Sequence, residues 1–216
     1  MIDRKIKAHA KIMRNLSKNL GYSFIEKDDS GMKSFLGNFK LFSNGGNKQL
    51  YNIVRKVNPT TFEETMIFDY RYVISTGKST HVFNQTVYMV YSKTFALPHF
   101  YMFPEKWYHR FGSIFGIKDI DFVSYPKFSY NYFLKGADED FIRHTFNQKQ
   151  IMSTFGRKMG YSLEGCNYVF VLYKHNKLLN YKSVQSLISV AKKVTHAFTE
   201  KGVHWLERHE NLFEEE

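Results

Sequence analysis

Few residues in this chain stand at spacings that chemistry would need. Asp119 and Asp121 flank one isoleucine, so an extended backbone would turn both carboxylates to one face. A hard divalent cation held there would want further oxygen ligands, and no His or Glu is spaced to supply them. Sheet-edge charge is therefore the favoured reading. Gly77-Lys78-Ser79 has the form of a phosphate-loop ending, but the first glycine of that motif would fall on Tyr72. The residues after Ser79 have the period of a strand rather than a helix, which predicts a hairpin turn. Cys166 and His175 are the one nucleophile–base pair in reach, nine residues apart across a predicted hairpin. A reactive thiolate needs a positive environment or a helix N-terminus, and neither is evident. His196, His204 and His209 are eight and five apart, not the three or four that share a helix face. His99 and His109 fall in an aromatic-rich stretch and read as packing or capping groups. Asp69 sits between Phe68 and Tyr70 in mid-strand, and a pairing with Arg71 or a lysine of a neighbouring strand is expected. The expectation is no enzyme, with no cofactor and no metal. The alternative is a hydrolase or metal-dependent enzyme in which Asp119, Asp121 or Cys166–His175 converge with a loop histidine.

The elements that would carry these residues are read from hydrophobic period. Ile2, Ile6, His9, Met13, Leu16 and Leu20 recur at helical steps, and Gly21 supplies a stop. Residues 50–57, 65–74 and 82–91 are rich in β-branched and aromatic residues and alternate with period two. Short extended pieces are predicted at 22–26, 100–103, 121–123 and 128–134, and a helix or turn near 30–39. Asp138 reads as the N-cap of a helix over 139–146, with a second helix over 148–159. Strands over 161–163 and 168–173 precede a final helix that places Val184, Leu187, Ile188, Ala191, Val194 and Phe198 on one face. The fold class expected is α+β: a mainly antiparallel sheet with helices packed on one face, flanked by N- and C-terminal helices. The organisation expected is a basic amphipathic helix over 1–21, a single α+β domain over 22–206 and an acidic tip over 207–216.

Charge narrows the partners. The net charge is +11, with a surplus of +8 in residues 1–60 and again in 141–206, near neutrality between them, and −4 in the last ten. Positive ends raise the local concentration of polyanions: an acidic protein surface, nucleic acid or an anionic membrane surface. The first helix presents Arg4, Lys7, Lys11, Arg14 and Lys18, and the last presents Lys192 and Lys193. Residues 95–133 hold 14 aromatics interleaved with Lys106, Arg110, Lys118 and Lys127. Such a sheet can stack single-stranded nucleic acid, although no RRM, KH or zinc-knuckle signature is present. Trp107 and Tyr108 are candidate anchors for a protein partner, since interface cores favour such residues. With one cysteine and no apolar run of bilayer length, a cytoplasmic location is expected.

Three blocks carry a resemblance: Leu36–Val54 (LGNFKLFSNGGNKQLYNIV), Phe68–Val90 (FDYRYVISTGKSTHVFNQTVYMV) and Gly116–Phe146 (GIKDIDFVSYPKFSYNYFLKGADEDFIRHTF). Together they are similar to a scattered family of uncharacterised bacterial proteins, over residues 15–175. Some members carry membrane helices ahead of this region, and no comparable run stands here. The resemblance implies no activity and transfers no catalytic residue. It implies a scaffold of aromatic, glycine and strand positions. The function expected is a non-catalytic interaction module, an adaptor or assembly component of a larger protein complex. A nucleic-acid binder using the same basic helices is the alternative.

Overall fold

The computed structural model describes residues 4–28, 36–105, 119–157 and 159–209, with side chains to 202. Helix α1 is Arg4–Leu20, followed by strand β1 (Ser23–Lys27), α2 (Lys40–Ser43) and the long strands β2 (Gly46–Val57), β3 (Glu64–Ser75) and β4 (Thr80–Tyr91). Then come β5 (Leu97–Pro104), α3 (Pro126–Asn131), β6 (Tyr132–Gly136), α4 (Glu139–Phe146), α5 (Lys149–Phe155), β7 (Ser162–Asn167), β8 (Val169–Tyr173) and α6 (Tyr181–His209). The strands hydrogen-bond in the order β1-β2-β3-β4-β8-β7-β5-β6. This is the α+β class, with a sheet of antiparallel pairings and helices at both ends. The chain forms two compact units, residues 1–90 with 171–188 and residues 91–170 with 189–216.

The first unit is a meander with α1 packed on β1 and β2. α1 buries Ile6, His9, Met13, Leu16 and Ser17, the stripe set by its three-and-four spacing. It ends where Gly21 takes φ +66°, letting the Tyr22 amide return to the Ser17 carbonyl at 2.9 Å. Residues 76–79 make the β3–β4 turn, closed by the Thr76 amide on the Ser79 carbonyl at 2.9 Å. Gly77-Lys78-Ser79 is thus a hairpin tip that leads into a strand. β2 carries a bulge: Tyr51 pairs with Asp69 and Val54 with Ile67, so Asn52 and Ile53 together oppose Phe68. Asn52 stands at φ +52°, a left-handed conformation that asparagine tolerates better than most residues.

In the second unit the core is aromatic. Phe100 meets Phe146 edge-on with centroids 4.8 Å apart, and Phe198 of α6 packs against Phe95, Phe100, Phe146 and Phe170. Asp138 caps α4 by accepting the Phe141 amide at 2.9 Å. Two extended pieces expected from sequence differ here. Residues 121–123 are not a strand, and 126–131 form α3 with Pro126 in its first turn, so the strand begins only at Tyr132. Proline's fixed φ suits a helix start, which outweighs the aromatic run's preference for extension.

Candidate functional site

The outer face of α1 is basic from end to end. Arg4, Lys7, Lys11, Arg14 and Lys18 are all exposed, and no acidic residue interrupts the helix. At about 100° per residue these five fall within an arc of about 80°, and they span about 21 Å of helix. The buried stripe lies on the opposite side. Arg14 is partly spoken for: its guanidinium reaches Glu26 at 3.0 Å and lies 4.3 Å above the Phe24 ring. Lys192 and Lys193 are likewise exposed, on the α6 segment of the second unit. Trp107 and Tyr108 lie outside the described residues, as do Lys106, His109, Arg110 and Lys118.

Beneath α1 is a closed polar ring that the basic face does not reveal. His9 is 6% exposed and Asp69 0%. His9 Nδ1 donates to Asp69 Oδ2 at 2.8 Å, and Nε2 donates to the Leu179 carbonyl at 2.6 Å. The Asn52 amide donates to the same Asp69 oxygen at 2.8 Å and to the Ile6 carbonyl of α1 at 2.9 Å. Thr86 Oγ1 donates to the other Asp69 oxygen at 3.2 Å and accepts the Leu179 amide at 3.0 Å. Both ring nitrogens of His9 therefore face oxygens, and both contacts are satisfied together only when each nitrogen carries a proton, as in an imidazolium. Burial by itself lowers the pKa of His9. The hydrogen bond and charge of Asp69, with the Leu179 carbonyl, outweigh it and raise the value above 6.5. Asn52 stands at the β2 bulge.

Sequence places His9 on the apolar stripe and singles out Asp69, but it does not join them. Among the described residues Asp69 takes a histidine 60 residues away in place of Arg71 or a lysine. The readable signal is a histidine in a core stripe plus a carboxylate in an otherwise apolar strand, since each costs too much to bury without the other.

The other candidates fall to local roles. Asp119 Oδ1 accepts the Leu134 amide at 2.7 Å, extending the edge of β6. Burial, then the charges of Asp121 and Glu105, push its carboxyl up to about 6 against two backbone amides that pull it down. Asp121 is exposed, and its backbone carbonyl accepts Arg143 Nη1 at 2.6 Å. Cys166 belongs to the second unit, where burial pushes its thiol up, away from the thiolate a nucleophile needs. His175 belongs to the first, its ring 5.6 Å from that of Phe83. Among the described residues no three His, Cys, Asp or Glu side chains group as metal ligands. Of the aromatics between 95 and 133, Phe95, Phe100, Phe103, Phe122, Phe128, Tyr132 and Phe133 are core, so those rings offer no stacking platform.

No family model and no curated protein matches the chain. Among solved structures it is similar to the mycobacterial trehalose monomycolate transport factor A, TtfA, with a TM-score of 0.60. The superposition covers 90% of this chain and 94% of that one at 11% identity. The likeness is one of fold. It supplies a second sequence that folds this way, and it brings no residue role with it. Among the described residues no helix is long and apolar enough to cross a membrane.

Proposed function

We propose that this protein is a non-catalytic interaction module, an adaptor or assembly component, which docks an acidic surface of a partner protein along the outer face of α1. One observation carries the reading: a helix whose apolar side is used up on its own core, and whose outer side lines up cations over about four turns with no acidic residue of the helix among them. With Ile6, Met13 and Leu16 buried, the helix has no apolar face left to sink into lipid. Electrostatic docking is what remains, and complementary charge sets encounter rate and partner choice. The local duties of Asp119 and the raised thiol of Cys166 favour the non-catalytic reading. The similarity in fold to a transport factor is compatible with an accessory role, and a cytoplasmic site of action is part of the same proposal.

The test is capture from nuclease-treated native extract by the full chain, with elution over a salt series. A defined protein partner that survives nuclease is the expected result. Loss of every partner on nuclease treatment would overturn the proposal if the chain also bound plain nucleic acid, with log affinity falling about 0.9 per phosphate contact against log salt.

A further inference from the structure

We propose that the His9–Asp69 ring is a proton-dependent latch: the imidazolium clamps α1 to the sheet, and loss of one ring proton loosens the helix and the cationic stripe it carries. This rests on the reading of α1 as the docking surface and names how that surface would be regulated.

The geometry leaves the neutral ring no good state. An imidazole with one N–H can serve Asp69 or the Leu179 carbonyl, but not both, because each is an acceptor. Whichever proton leaves, a nitrogen lone pair is set against an oxygen at 2.6 or 2.8 Å with almost no solvent to relieve it. The only other described side-chain tie in this ring from the sheet to α1 is Asn52 on the Ile6 carbonyl, and Asn52 shares Asp69 with the histidine. The groups facing His9 from the elements around it are Asp69 of β3, Asn52 of β2, Thr86 of β4 and the Leu179 carbonyl ahead of α6. Arg71, two residues along β3 on the same face, is half-buried, and its charge also acts on Tyr51. Lys177, two residues before Leu179, is exposed, as is Lys5 one turn before His9 on α1. Asp69 is thus the charge that decides the ring's state among the described residues.

The latch holds at low pH and weakens at high pH. For a cationic group raised above its unfolded value of 6.5, the stabilisation is complete below 6.5 and is lost as pH climbs through the folded value. Each unit by which the folded value exceeds 6.5 makes the clamped helix tenfold harder to open at low pH than at high pH.

The experiment uses the full chain. Ring nitrogen and carbon shifts of His9 are followed by NMR from pH 5 to pH 10, alongside hydrogen exchange of α1 and β3 amides corrected for intrinsic rates. The proposal expects a doubly protonated ring at pH 5. It also expects α1 protection to fall in step with the His9 titration while β3 falls less, and His9→Phe to give weak, pH-independent α1 protection. If that variant does not fold, the wild-type titration decides alone. A singly protonated ring at pH 5, or α1 protection unchanged through the titration, overturns the latch. If α1 protection tracks His9 but a folded variant with Arg4, Lys7, Lys11 and Lys18 changed to Glu still captures the partner, the latch stands and the docking surface on α1 is what fails; capture that ignores pH in the wild-type chain overturns the regulation.

Discussion

Replacing Asp69 by alanine would remove one acceptor from three donors at once. The carboxylate is wholly buried and receives His9 and Asn52 at 2.8 Å and Thr86 at 3.2 Å. Stranding a buried cation by deleting its partner costs about 3–5 kcal/mol. Leaving the Asn52 and Thr86 donors without that acceptor adds about 1 kcal/mol each, partly counted already because the alanine leaves room for water. The expected loss is therefore about 4 kcal/mol, against a total stability of about 5–15 kcal/mol for an ordinary domain. His9→Phe should cost less, since it leaves a buried carboxylate that Asn52 and Thr86 still serve. Asp69→Leu combined with His9→Phe should be less damaging than the sum of the single changes by about 1–3 kcal/mol, because neither partner is then stranded. Urea unfolding at pH 6, followed by circular dichroism and by exchange of the α1 amides, measures each of these proteins. A loss below about 1 kcal/mol for Asp69→Ala, or strict additivity in the cycle, would mean that His9 and Asp69 are not a coupled buried pair.

Three further outcomes are set by local geometry. Asp119, raised to about 6 from 3.8, favours the protonated fold, so it carries no penalty below pH 3.8 and a growing one up to about pH 6. Asp119→Asn should flatten that part of the stability profile, as read from urea midpoints between pH 4 and pH 7. Gly136 lies where a Cβ would press on the His99 carbonyl and Ile142; Gly136→Ala should destabilise by about 1–3 kcal/mol in thermal unfolding. Asp138→Ala removes the side chain that accepts the Phe141 amide, and should cost about 1 kcal/mol in the same assay.

The elements with strong period are legible from sequence. The α1 stripe, the β3–β4 hairpin and α4 with its Asp138 cap come from spacing and capping chemistry, which act over a few residues and leave local marks. The segment 121–134 misleads because its aromatics favour extension, while Pro126 and the Phe122–Phe128 contact at 5.7 Å favour a helical turn that only tertiary packing completes. Asp69 shows the wider difficulty. Its partners stand on α1, β2, β4 and, through Thr86, the approach to α6. No spacing rule links positions 9, 52, 69 and 86. The exposed cations are legible because a helix sorts faces by itself. The polar ring beneath them is not, because it depends on strand register and on a bulge at Asn52 that leaves no strong local signal.

If the outer face of α1 is a docking surface, reversing its charge should abolish capture of the partner. Arg4, Lys7, Lys11 and Lys18 are changed to Glu together, sparing Arg14 and its contacts with Glu26 and Phe24. A protein with Lys192 and Lys193 changed to Glu serves as the comparison. All three chains are immobilised in nuclease-treated native extract, and the retained proteins are quantified after their folding is checked by urea unfolding. The α1 variant should fold with stability within about 1 kcal/mol of wild type, since surface charges contribute little. A partner that the wild-type chain retains should be lost by it at least tenfold. Equal retention of that partner by a folded α1 variant would rule out docking through this face.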